Sequence, residues 1–94
     1  MTEDRIATLH PDPNKQGVSI DKVKYDAVSA AILDSIREDP GLTFEELLVT
    51  IEDRLKASFE GSIGWYTVTV KLDLEARGLI AREGKSPQRL HLVA

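Results

Sequence analysis

The stretch Ser62–Leu92, SIGWYTVTVKLDLEARGLIAREGKSPQRLHL, decides how this chain is read. From Ile63 to Arg77 it holds no proline and closes on Gly78, the residue type that ends helices in the left-handed region. Thr67 to Leu74 also alternates with period two, and its β-branched residues favour strands. The ending Leu-Glu-Ala-Arg-Gly decides for helix: Glu75, Ala76 and Arg77 are good helix formers, and the cation lies at the negative end of the dipole.

At 100° per residue this third helix carries two apolar stripes on opposite sides. Ile63, Tyr66, Val70 and Leu74 form one; Trp65, Val68, Leu72 and Ala76 form the other. Lys71 with Glu75, and Thr69 with Asp73, are expected along the polar edges between them. A helix that is apolar on two faces must bury both or expose one.

After Gly78, Leu79–Arg82 and Gln88–Val93 are strand candidates around the turn Glu83–Pro87, with Leu90 and Leu92 facing inward and Arg89 and His91 outward. A helix, then Leu-Glu-Ala-Arg-Gly-Leu-Ile, then a basic hairpin resembles the recognition helix and wing of winged helix-turn-helix domains. The Ile63-Gly64-Trp65 start also looks like the winged-helix modules at the front of some restriction endonucleases, although this helix is about one turn longer. Over its full length the chain is similar to a family of small uncharacterised bacterial proteins, which share the His10-Pro11-Asp12-Pro13 opening and the Trp65-Tyr66 helix start. That family implies no activity.

Upstream, Asp21 is the expected N-cap of a helix from Lys22 to about Glu38, with Tyr25, Val28, Ile32 and Ile36 on its inner face. Asp39-Pro40-Gly41 ends it. Leu42 and Thr43 suit the short strand that pairs beside a wing. Thr43-Phe44-Glu45-Glu46 is a capping box opening a second helix, with Phe44, Leu47, Leu48, Ile51 and Leu55 on one stripe and a Glu52–Lys56 pair outside. Residues 1–20 hold Pro11 and Pro13 and form an arm rather than a helix, partly docked through Val18 and Ile20. One candidate dock is the second apolar face of the third helix. The expected fold is therefore α+β: a small winged helix over residues 21–94, three helices and a two-stranded wing, preceded by an arm.

At 94 residues the chain holds one modest core. Without cysteine it has neither disulfides nor a thiolate metal site or nucleophile. It lacks an apolar run of membrane-spanning length, and its start lacks the basic and apolar regions of a signal peptide, so it reads as soluble and cytoplasmic. The net charge of −4 is unevenly divided: residues 1–76 carry −7 and residues 77–94 carry +3. Any anion-binding capacity is concentrated in the wing.

Gly61-Ser62-Ile63-Gly64 matches neither a hydrolase elbow nor a phosphate loop, so Ser62 is read as a helix cap and the glycines as turn and close-packing positions. His10 and His91 have no partner at metal-ligand spacing. The acidic pairs Glu45–Glu46 and Glu52–Asp53 fall on the polar face of a helix. No catalytic constellation, cofactor, metal or small-molecule substrate is expected.

Two functions follow. In the first, the third helix and the wing contact double-stranded DNA through Thr67, Lys71, Arg77, Arg82, Lys85 and Arg89, with Tyr66 and Thr69 as further donors, in a transcription-regulator-like homodimer. In the second, Trp65, Val68 and Leu72 form an apolar face that joins another chain and binds no DNA, because such side chains carry no hydrogen-bond code for base edges. Solvation of the cations on a hairpin edge, and cover of Trp65 by the arm, are the plain structural counterparts.

Overall fold

The computed structural model describes residues 4–84 and 87–93. In chain order the elements are β1 (Arg5–Ala7), β2 (Ser19–Asp21), α1 (Lys22–Glu38), α2 (Phe44–Leu55), α3 (Ile63–Ala76), β3 (Ile80–Glu83) and β4 (Arg89–Leu92). The result is a mixed α+β domain of three helices and two antiparallel two-stranded sheets, β1–β2 and β3–β4. Among the described residues no helix is long and apolar enough to cross a membrane.

Each helix starts where its capping chemistry puts it. Asp21 accepts from the Val23 amide, Ser62 from the Trp65 amide, and Thr43 and Glu46 form the reciprocal capping box. The Thr43 amide holds the Glu46 carboxyl below its ordinary range. α3 ends at Gly78, whose φ of +77° is reached without strain only by a residue lacking Cβ. A Cβ there would meet nothing within 4 Å, so backbone conformation alone sets the preference. The Glu52–Lys56 pair does not form; Lys56 pairs with Asp53 instead, at 3.2 Å.

The core joins one face of every helix: Val28, Ile32 and Ile36 of α1, Leu47 and Ile51 of α2, and Val70 and Leu74 of α3. Ile80 and Leu90 close it from the C-terminal hairpin, whereas Leu92, expected inside, stays 36% exposed at the strand end. Leu42 and Thr43 do pair beside the hairpin: the Leu90 amide donates to the Leu42 carbonyl and the Gly41 amide to the Leu90 carbonyl, both at 2.9 Å, and Thr43 bridges Arg89. The expected turn Glu83–Pro87 has Gly84 at φ +88°, while Lys85 and Ser86 lie outside the described residues.

The arm is itself a hairpin. Arg5, Ile6 and Ala7 pair with Asp21, Ile20 and Ser19, so the last strand residue is also the first helix cap. Of the two expected docking residues Ile20 is buried within β2, but Val18, which precedes the strand, remains 42% exposed.

Leu74→Ala should lower the unfolding free energy by about 3 kcal/mol, as expected for an emptied core site. Gly78→Ala, which creates no clash, should cost about 1–2 kcal/mol. Urea titration of the two variants checks both magnitudes and their order.

Candidate functional site

α3 is buried along one wide arc and open along the other. Thr67, Val70, Lys71, Asp73 and Leu74 are buried, and the remaining arc presents Gly64, Trp65, Val68, Thr69, Leu72 and Ala76. Of the two polar edges expected from the wheel, Lys71 with Glu75 and Asp73 are drawn inside, while Thr69 stays on the open arc. Asp73 is fully buried beneath the arm, and Lys71 and Glu75 are buried against the C-terminal hairpin.

Asp73 is saturated with donors. Its Oδ1 accepts from the Leu9 amide at 2.8 Å, Oδ2 accepts from the Tyr25 hydroxyl, and Arg77 Nε lies 3.0 and 2.8 Å from the two oxygens. Three segments far apart in sequence thus converge on one carboxylate. Arg77 also reaches the Ala7 carbonyl at 3.4 Å, and its pKa is raised further by the hydrogen bond to Asp73. Burial, with Asp73 beside it, pushes the Tyr25 phenol up to about 12.

Glu75 sits on the opposite flank, two residues on and about 200° around the helix. Its side chain is 6% exposed and lies 3.1 Å from Lys71 Nζ and 3.2 Å from Arg82 Nε. Neither oxygen makes a well-aligned hydrogen bond, so the pairing is by charge rather than by directed donors. The Lys71 ammonium additionally rests over the Phe44 ring, 5.2 Å from its centroid.

The residues expected to touch DNA are therefore differently employed. Thr67 is buried and its hydroxyl donates to the Ile63 carbonyl, as Thr commonly does one turn back in a helix. Lys71 is buried beside Glu75. Both are withdrawn from the surface because the helix is packed on two flanks rather than one. Arg77 is committed to Asp73, Arg82 to Glu75 and Gln88, and Arg89 to the Gly41 carbonyl at 2.9 Å. Lys85 lies outside the described residues.

The apolar residues of the outer face do come together. Trp65 is 48% exposed and Val68 41%, with Leu72 half-buried one turn on. The arm runs alongside rather than over them, so the alternative in which the arm covers Trp65 does not hold: the arm walls one edge of the ring and leaves its face open. Leu9, His10 and Val18 of the arm face Trp65, Thr69 and Leu72 across a cleft of about 130 Å³. Leu9 is itself 45% exposed. The other edge of Trp65 rests on an aromatic row, with Tyr66 at 5.0 Å and Phe59 a further 5.1 Å away, each edge to face. Lys24 lies over Phe59 and Tyr66 and closes that row toward α1. Gly64, read as a close-packing position, has open space where a Cβ would stand.

Sequence reasoning offered this face as a dock for the arm but did not identify Leu9 and His10 as its wall, and it missed the role of Asp73. The i,i+4 spacings Asp73–Arg77 and Lys71–Glu75 were available as a signal. Their burial was not, since Tyr25 and Leu9 stand 48 and 64 positions away from Asp73.

The folded chain holds the Tyr25 proton above the pH at which an unfolded tyrosine releases it. This contribution to stability is intact below about pH 10 and is lost as pH rises through about 12. Titration of phenolate absorbance should show a component near pH 12 that vanishes in Tyr25→Phe, together with the matching part of the alkaline loss of stability.

Neither the curated proteins nor the solved structures gave a match to this sequence. A family model does match, and over nearly the whole chain, residues 5–90, taking in most of the arm, all three helices, β3 and the first half of β4. The chain belongs to that family, DUF6958, described as a family of unknown function.

Proposed function

We propose that this chain is a small cytoplasmic winged-helix module, not an enzyme, that works by protein contact: it pairs with a second copy of itself through the outer face of α3 and the arm beside it. The order of three helices and a hairpin, with Leu42 and Thr43 paired beside β4, supports the winged-helix arrangement. One observation carries the contact reading. The arc of α3 that faces solvent is apolar and free of cations, while Lys71 and Arg77 of the same helix are spent on buried carboxylates.

The cleft beside it is lined by no Asp, Glu, Lys or Arg, and Leu9, Val18, Trp65, Thr69 and Leu72 are among its walls. Two copies, each of net charge −4, therefore meet there without like charges in opposition. A two-fold pairing presents the same patch from both sides, so an apolar patch complements itself. Trp65 supplies the large, half-exposed ring typical of an energetic anchor. A DNA-reading helix instead offers donors and acceptors to base edges and cations to phosphates.

A second reading is favoured by one specific observation, the +3 charge of residues 77–94. In it the C-terminal hairpin, with Arg82 and Arg89 exposed, holds duplex phosphates.

Light scattering and sedimentation should find a dimer that Trp65→Ala weakens by about 30-fold or more while leaving the fold intact. Fluorescence anisotropy with duplex DNA at about 50 mM salt should show no binding. A monomer that binds DNA, loses it steeply by about 200 mM salt and loses it in Arg82→Glu with Arg89→Glu overturns the contact reading in favour of the second.

A further inference from the structure

The arm is attached by directed polar contacts and by little apolar burial. Its ladder pairs three residues with three. Between Arg5 and Ser19 only Thr8 is buried and only Ile6 packs against the core, while residues 13–19 are exposed throughout. The specific attachments are the Leu9 amide on Asp73 and Arg77 on the Ala7 carbonyl. A segment with its own hydrogen bonds and few buried apolar groups opens locally at lower free energy than the body carrying it. Ile20, which is buried, and Asp21, which caps α1, fix where such an opening stops.

Opening leaves the body whole. Asp73 keeps Arg77 one turn away and Tyr25 on α1 when Leu9 departs, so the buried carboxylate is not stranded. What is lost is one wall of the cleft: Leu9, His10 and Val18 go, and Trp65, Thr69 and Leu72 remain.

We infer that residues 8–18 are a detachable strap, latched by the Leu9 amide on the Asp73 carboxylate, whose docked state builds half of the contact face of α3 and whose release dismantles it. The inference rests on the pairing reading and adds a switch to it. Assembly requires the strap to be closed, and anything that draws the arm away dissociates the pair.

The strap has a closure of its own, which makes the test specific. The Thr8 hydroxyl both donates to the Val18 carbonyl and accepts from the Val18 amide, each at 2.8 Å, and the Thr8 amide donates to the same carbonyl. Gly17 lies so close that a Cβ would stand 1.8 Å from the Thr8 carbonyl oxygen. Gly17→Ala therefore forces this closure open. Thr8→Val removes both hydroxyl bonds with no added bulk.

The two variants and the parent chain are compared by hydrogen exchange, by emission of the single tryptophan and by light scattering. In both variants exchange within residues 5–19 should rise by about tenfold or more, with peptides from α1 to α3 unchanged. Trp65 emission should shift to the red and self-association should weaken by about tenfold or more. An opened arm with association unchanged overturns the strap, and so does global unfolding of Thr8→Val, which would make the arm an integral part of the core. A parent chain that is monomeric at every concentration removes the pairing reading by itself. The strap then stands if the arm opens independently and Trp65 emission responds, and falls if it does not.

Discussion

The Asp73 carboxylate gathers α1, α3 and the arm into one arrangement. Its two oxygens receive the Tyr25 hydroxyl, the Arg77 guanidinium and the Leu9 amide, and the residue has no exposure. A charge so far from water is tolerated only with its hydrogen-bonding capacity filled, and each donor comes from a different part of the chain. The position of the arm and the packing of α1 against α3 are consequently tied to one side chain. Directed donors also fix geometry more tightly than apolar contact, which tolerates sliding.

Glu75 poses the same problem on the other flank and meets it by another route. Lys71 and Arg82 surround it at 3.1 and 3.2 Å without aligned hydrogen bonds, and Lys71 is further sheltered by the Phe44 ring. Two buried carboxylates two residues apart hold α3 from both sides, one against the arm and α1, one against the C-terminal hairpin and α2. Cations that would make an electropositive helix are used internally in doing so, and the surface left over is neutral and apolar.

That leftover surface is a composite. Trp65, Val68 and Leu72 belong to α3, but the wall opposite them belongs to the N-terminal arm, far earlier in the chain, brought there by Asp73. The face depends on an element weakly buried in its own right, so its shape follows whether that element is docked. Lys24 over Phe59 and Tyr66 anchors the far side of the same face to α1, so the arm is its one loosely held boundary.

Much of this was legible in the sequence because it depends on neighbours in the chain. The three helix starts at Asp21, Thr43 and Ser62, the stop at Gly78, and the inner faces of α1 and α2 follow from capping chemistry and from periodicity, which are local. The pairing of Leu42 and Thr43 beside the hairpin was also foreseen, through the resemblance the stretch carries. α3 was not so transparent. A wheel shows two apolar stripes and assigns the residues between them to water, whereas tertiary packing covered Lys71, Glu75 and Asp73 of the polar edges and left the second stripe open. Lys71, Asp73 and Glu75 are inside because partners outside the helix meet them, Tyr25, Leu9, Arg82 and Phe44, while buried Thr67 is satisfied within the helix by the Ile63 carbonyl. Periodicity records what a helix offers, and only the three-dimensional placement of donors and cations decided which of those offers was buried.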